Sequence, residues 1–179
     1  MRILLLVPLL TPLFLVQGCS PSTNDRLQQL LDTVEQRLNF AEPIALSKWH
    51  SGQPVEDNSR EASVIASAKA QASNFKLDSQ RAAEFMDDQI QANKLLQYYA
   101  LVSWLEAGSA PQAARADLAQ LRPQLDRLQE TMLSALAEFD RNPPEPCLQV
   151  LDQAINQRES NSTRVMALRS ATAHLCFNE

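Results

Sequence analysis

The chain has 179 residues, a length that is enough for one domain with a substantial core, and its formal net charge is −5. It contains only three glycines, while leucine, alanine, glutamine and glutamate abound, so the composition favours helix over sheet. The acidic balance, with no block of basic residues, argues against nucleic acid as a partner.

Residues 1–18 predict a secretory signal that is not part of the fold. Met1-Arg2 is a minimal basic start, and Ile3–Val16 is nearly all apolar but too short to span a bilayer comfortably. The following Val16-Gln17-Gly18-Cys19 is similar to a bacterial lipobox, which predicts cleavage before Cys19 and lipidation of its thiol. The alternative is ordinary signal cleavage nearby, without a lipid.

This N-terminus predicts a periplasmic chain, with residues 19–24 as a short tether and residues 25–179 as the domain. Ser20 after the cysteine favours the outer membrane for a lipid anchor. Cleavage without lipidation would instead leave the chain secreted. No later run of the sequence is long and apolar enough to be predicted as a membrane span.

Helical periodicity and capping signals predict six helices and no strands. The first is predicted from Asp25 to His50 as one long helix, with Pro43 inside it as a kink. The other five are predicted over residues 57–74, 79–106, 111–140, 147–158 and 162–175. These elements predict an all-α, bundle-like domain.

Two cysteines remain after Cys19, and export would place both in an oxidising compartment. Cys147 follows a proline-rich connection, and Cys176 lies three residues from the end of the chain. We therefore predict a disulfide between them that ties the last two helices together. The alternative is a pair of free, buried thiols.

A set of charged and amide side chains recurs at helical spacing. Arg37 and Lys48 are eleven residues apart, about three turns, which puts both cations on one face of the predicted first helix. Asn93 and Gln97 are four apart and also share a face. The remaining members of the set are Asp57, Arg60 and Glu61. Cations and neutral amides aimed into a helical bundle would form a pocket for a small dianion.

In order and spacing, these residues and their neighbours resemble the all-helical chorismate mutases, especially the exported subclass. The matching segments are Gln36-Arg37-Leu38, Ser47-Lys48-Trp49, Pro54-Val55-Glu56-Asp57, Arg60-Glu61 and Asp87-Asp88-Gln89-Ile90. The resemblance implies rearrangement of chorismate to prephenate without a cofactor or metal, by a homodimer with a complete site in each chain. The rival hypothesis is a non-catalytic periplasmic lipoprotein that binds a partner protein or a small dianion.

The resemblance also implies roles for the cations and carboxylates. Arg37 would bind a substrate carboxylate, and Lys48 would bridge a carboxylate and the ether oxygen. Arg60 would contribute to the carboxylate site, while Glu61 would accept the hydroxyl group of the ring. Asp57 would hold this cation set or the hydroxyl. Asp57 and Glu61 could instead serve only as helix caps.

Three further positions complete the implied site. Gln97 would donate to the ether oxygen. Asn93 stands where the family more often has Ser or Thr, and its amide could donate to a carboxylate. Arg122 falls where the exported subclass supplies a further arginine from its own chain, with Arg115 and Arg127 as rivals for that role.

Overall fold

The computed structural model describes residues 22–112 and 117–176. These residues form seven α-helices and one 3-10 turn, Ala72–Phe75, and contain no strand. The helices are α1 (Thr23–Leu38), α2 (Ala41–Ser51), α3 (Asn58–Gln71), α4 (Ser79–Ala107), α5 (Leu118–Asp140), α6 (Cys147–Arg158) and α7 (Ser162–Ala171). The predicted all-helical domain is confirmed.

The predicted signal and the lipidation of Cys19 lie outside the described residues. Ser22 caps α1, so the last residues of the predicted tether belong to the first helix. In the part of the chain that the structure describes, no helix combines the length and the apolar character that crossing a membrane requires.

Polar side chains begin most of the helices by accepting backbone N–H groups that have no partner inside the helix. At α1 the Ser22 hydroxyl accepts from the Asp25 N–H at 3.1 Å, and the Asp25 carboxylate accepts from the Ser22 N–H at 3.0 Å. The equivalent caps of α3, α4, α5 and α7 are Asp57, Asp78, Asp117 and Asn161. Gly52 and Gly108 end α2 and α4 at positive φ, where a residue without Cβ is unstrained.

The single helix predicted from Asp25 to His50 is divided at Asn39–Phe40. Pro43 explains the break, because a proline has no N–H and its ring clashes with the carbonyl four residues earlier, which here belongs to Asn39. Pro43 instead occupies the first turn of α2, where an N–H has no helical partner to lose. Arg37 and Lys48 therefore lie on two helices rather than on one continuous face.

The long helix α4 is the centre of the domain and packs against α7, α3, α2 and α1. The helix α1 packs on α5 and α4 through an apolar face that is at most 1% exposed. That face consists of Leu27, Leu30, Leu31, Val34 and Leu38. Burial of each such side chain contributes about 1.5–3 kcal/mol, so α1 holds Arg37 rigidly against α4. At the other end of α4, Trp104 and Trp49 of α2 pack edge to face, with ring centroids 6.0 Å apart.

The C-terminal segment is fastened to the rest of the fold, and the predicted Cys147–Cys176 disulfide is confirmed. It joins the first residue of α6 to the segment after α7, with a Cα–Cα distance of 5.7 Å. Arg81 of α4 contributes by pairing with Asp140 at 2.8 Å and by donating to the Leu175 carbonyl at 3.0 Å.

Replacing both cysteines by serine should lower the thermal stability of the domain. The disulfide closes a loop of 29 residues, which corresponds to about 3–4 kcal/mol on the chain-entropy model. A domain of this size should then lose roughly 6–16 °C in Tm. Circular dichroism melts of the wild type with and without reductant measure the loss, and the double variant should not respond to reductant. Two titratable thiols in the native protein would contradict the bridge.

Candidate active site

A cavity of about 110 Å³ lies among α2, α3, α4 and α5 and includes Arg37 near the end of α1. This volume is several times the ~10–15 Å³ that one water molecule needs, so the cavity can admit a small molecule. All eight side chains predicted for the site line it, namely Arg37, Lys48, Asp57, Arg60, Glu61, Asn93, Gln97 and Arg122. Its apolar wall is formed by Ile44, Val55, Val64, Ile90, Leu118, Leu121 and Leu125.

Arg37 is a buried cation, only 7% exposed. Its guanidinium forms no ion pair with any described residue, and its Nε is buried without a hydrogen-bond partner among them. Burial, with the positive charge of Arg60 as a smaller contribution, lowers the pKa of Arg37 to about 10, so the group is still charged at neutral pH. Because an unpaired buried charge is costly, this guanidinium is prepared for an anion in the cavity.

Lys48 of α2 is the second buried cation, 8% exposed. Its Nζ donates to the Val55 carbonyl at 2.5 Å, a neutral acceptor that leaves two of its three donors available. Burial lowers the pKa of Lys48, and the negative charges of Asp57 and Glu61 oppose that effect. The ammonium thus fixes the loop between α2 and α3 while it faces the cavity.

Two amide side chains of α4 lie one helical turn apart beside these cations. Asn93 donates from Nδ2 to the Arg37 carbonyl at 3.1 Å and accepts at Oδ1 from Gln97 Nε2 at 2.7 Å. Both residues are buried, 6% and 4% exposed, and Gln97 Oε1 has no hydrogen-bond partner among the described residues. Gln97 therefore presents a neutral amide to the cavity.

The start of α3 brings three predicted residues together through its cap. Asp57 accepts from the Arg60 N–H at 3.0 Å, and Glu61 Oε1 accepts from the Asp57 N–H at 3.1 Å. The capping role considered for Asp57 and Glu61 is therefore present, and both side chains also line the cavity. The cap fixes the backbone from which Arg60 and Glu61 project.

Arg122 of α5 lines the cavity from the same chain, and its Nη2 lies 3.5 Å from Asp57 Oδ2. Arg127, one of its rivals, lies in a separate groove with Gln36, Phe40 and Leu128. The other rival, Arg115, is outside the described residues. Of the described candidates, Arg122 is the arginine that adjoins the predicted site.

Comparison with known proteins identifies the family of this chain. A family model described as chorismate mutase type II matches residues 25–98. The chain is 30% identical over 178 residues to a secreted chorismate mutase of Mycobacterium tuberculosis, which covers 96% of this chain and 86% of that protein. The chain belongs to the secreted chorismate mutases.

Solved structures give the same result for the fold. A chorismate mutase from Burkholderia phymatum matches with a TM-score of 0.81 and 35% identity, covering 87% of this chain and 99% of that chain. One from Burkholderia thailandensis matches with a TM-score of 0.74 and 33% identity, covering 84% of this chain and 99% of that chain.

Sequence reasoning missed three polar residues of this chorismate mutase cavity: Lys94, Asp126 and Gln129. Lys94 Nζ contacts Glu61 at 3.0 Å and Glu56 at 2.8 Å. Burial opposes the charge of Lys94, but hydrogen bonds to these two carboxylates outweigh it and raise the pKa. Lys94 lies four residues after Ile90, another lining residue of α4, so helical spacing could have found it.

Asp126 and Gln129 follow Arg122 by four and seven residues on α5, again at helical spacing. Asp126 pairs with Arg60 at 2.5 Å, and Gln129 donates to the Ser67 hydroxyl at 3.1 Å. Asp126 thus holds the guanidinium of Arg60 in the free protein, and Gln129 ties α5 to α3 beside the cavity.

Proposed function

We propose that this cavity binds chorismate and catalyses its rearrangement to prephenate. The reaction is pericyclic and needs no nucleophile, metal or proton transfer. The protein has to hold two carboxylates so that the enolpyruvyl chain folds over the ring, and it has to stabilise the negative charge that grows on the ether oxygen. The observation that carries the proposal is the buried guanidinium of Arg37, which forms no ion pair with a described residue and lies beside Lys48 and the neutral amide of Gln97.

The charges of the cavity match a dianion. Five cations and three carboxylates line it, so two positive charges are left without a negative one among the lining residues. The cations are Arg37, Lys48, Arg60, Lys94 and Arg122, and the carboxylates are Asp57, Glu61 and Asp126. The apolar wall supports this proposal as well, because it would face the carbocyclic ring and exclude water.

Each cation has a different task in the proposed complex. Arg37 binds one substrate carboxylate, and Lys48 bridges a carboxylate and the ether oxygen. Arg60 and Arg122 complete the carboxylate site by exchanging their contacts with Asp126 and Asp57 for contacts with the substrate. The pair of Arg122 and Asp57 is half exposed, which makes it weak and easily exchanged.

The neutral and acidic groups of the cavity complete the proposed assignment. Gln97 donates an N–H to the ether oxygen. Glu61 accepts the ring hydroxyl, and Lys94 contacts the same carboxylate at 3.0 Å. Asp57 holds the start of α3 and the head group of Arg122 in the free enzyme.

The purified mature protein tests this proposal directly. It should consume chorismate and yield prephenate, which acid converts to phenylpyruvate. A binding protein without activity would retain chorismate unchanged in equilibrium dialysis, and that result would support the rival hypothesis.

The chain is further proposed to act outside the cytoplasm, since the relatives that it matches are secreted chorismate mutases. In this proposal residues 1–18 are removed, Cys19 carries a lipid anchor in the periplasm, and residues 25–179 form the mutase domain. The mature chain forms a homodimer, and the eight predicted residues that line the cavity of one chain support a complete site in each protomer. Sedimentation equilibrium of a mature chain purified without its lipid should give twice the monomer mass.

Replacing Cys19 by serine should move the protein from the membrane fraction to the soluble periplasmic fraction. The lipidated thiol is the proposed anchor, and the domain itself should fold normally. Fractionation followed by immunoblotting measures the change, with the Cys147→Ser and Cys176→Ser double variant as a control that should stay with the membrane. An unmodified N-terminus at another position, found by mass spectrometry, would contradict the anchor.

The Arg37→Ala and Lys48→Ala variants should each have a kcat/KM that is at least roughly 10²-fold lower, which is the effect of losing a preorganised oxyanion donor. Helix content should hardly change, because alanine favours helix. Steady-state assays measure the loss, with Arg141→Ala and Lys69→Ala as matched controls, since both residues are exposed cations that do not line the cavity. Near-normal turnover in either site variant would count against the assigned pocket.

The Gln97→Glu variant should become dependent on acid, whereas the wild type should work well near pH 7. A neutral amide donates at any ordinary pH, but a carboxyl donates only when protonated, with an unperturbed pKa of about 4.3. An ionised glutamate would oppose the negative charge on the ether oxygen. Burial at this position disfavours the charged form and raises the pKa of the new carboxyl, so the rate should recover as the pH falls below that raised value.

Profiles of kcat/KM against pH for both proteins check this expectation. The Gln97→Met variant is the control, because it removes the donor without adding a titratable group. If the Gln97→Glu profile simply parallels that of the wild type, Gln97 does not contact the ether oxygen.

A further inference from the structure

The orientation of the Gln97 amide depends on a chain of hydrogen bonds that begins at the backbone. The Arg37 carbonyl accepts from Asn93 Nδ2 at 3.1 Å, and Asn93 Oδ1 accepts from Gln97 Nε2 at 2.7 Å. Both polar atoms of the Asn93 side chain are therefore engaged within the protein. One of the two N–H groups of the Asn93 amide is used in the bond to the Arg37 carbonyl, which fixes the orientation of that amide.

The direction of this chain has one consistent solution. A backbone carbonyl can only accept a hydrogen bond, so the end of Asn93 that faces Arg37 has to be Nδ2. The end of Asn93 that faces Gln97 is then the oxygen, which requires a donor from Gln97. A flipped Gln97 would bring two acceptor oxygens to 2.7 Å from each other, the distance that now separates donor and acceptor.

The described residues provide no other contact that would fix the Gln97 amide. Its Oε1 is buried and has no hydrogen-bond partner among them. The bond to Asn93 is thus the interaction that distinguishes the two orientations of this side chain. One of the two hydrogens on Nε2 is used in that bond, and the other remains to donate.

We propose that Asn93 is a positioning residue, which holds the Gln97 amide with its free N–H available to the cavity and does not itself bind the substrate. The inference deepens the proposed function and rests on it. Orientation of a donor before the reaction begins is the source of its catalytic effect, because no reorganisation is then needed in the transition state. Loss of Asn93 should therefore lower kcat while leaving substrate binding nearly intact.

A double-mutant cycle of Asn93→Ala and Gln97→Met tests this role. In the wild-type background, Asn93→Ala should lower kcat about 3- to 10-fold, the range expected when one side chain is no longer held. KM should change by less than about 2-fold in the same variant. In the Gln97→Met background, Asn93→Ala should change kcat by less than about 2-fold, because the amide that it positions is absent.

Other outcomes overturn the inference. A rise in KM on Asn93→Ala in both backgrounds would mean that Asn93 binds the substrate. Equal losses of kcat in both backgrounds would mean a general structural role. Melting curves establish that each variant is folded. The Asn93→Ser variant provides a smaller polar replacement, whose hydroxyl can either donate or accept. This variant should also lower kcat only when Gln97 is present.

Two controls separate this inference from the proposed function. Gln91 is an exposed amide on the same helix, so Gln91→Ala should alter kcat in neither background. If the wild type does not consume chorismate, the proposed function fails. If the wild type is active and Gln97→Met is impaired, but the cycle is additive, only the positioning role of Asn93 fails.

Discussion

The end of α1 at Leu38 is the constraint on which the site depends. Pro43 disfavours a continuous helix through Asn39, and here the chain turns and starts α2 at Ala41. In an uninterrupted helix the Arg37 carbonyl would accept from the N–H four residues later. Here it accepts from the Phe40 N–H at 3.2 Å and from Asn93 at 3.1 Å. The break therefore separates the helices of the two buried cations, and the Arg37 carbonyl, next to the end of α1, orients the amides of α4.

The cations of the cavity differ in how they are balanced. Arg60 and Arg122 are partly exposed and have carboxylate partners, so solvent and those partners keep the free-energy cost of their charges low. Arg37 is buried without such a partner among the described residues, and its lowered pKa reflects this cost. The packing of the apolar face of α1 offsets the cost. The packing of the core thus holds in place a positive charge that no described carboxylate pairs with.

Much of the fold follows from the sequence because its signals are local. The caps at Asp57 and Asp78 and the glycines after α2 and α4 act within a few residues of the helix ends that they define. The division of the first helix was missed because Pro43 is compatible with either a kink or a stop, and tertiary packing decides between them. The predicted site residues meet in one cavity, but Lys94, Asp126 and Gln129 were missed because each has a partner on α3, a helix other than its own. The spacing of residues along a helix predicts which of them share a face, but it does not predict which other helix packs against that face.

Catalysis of a pericyclic rearrangement requires fixed charges, fixed hydrogen-bond donors and an apolar wall that fits the substrate. The faces of packed helices can provide all three. The ammonium of Lys48 is a compact charge with three rotatable donors, so it tolerates small errors of orientation. A neutral amide does not, because one end donates and the other accepts. Gln97 is therefore the proposed catalytic group that most needs a neighbour to orient it, and that neighbour is attached to the helix end that Pro43 creates. The same neutrality that frees Gln97 from pH dependence makes it dependent on the packing of α1 against α4.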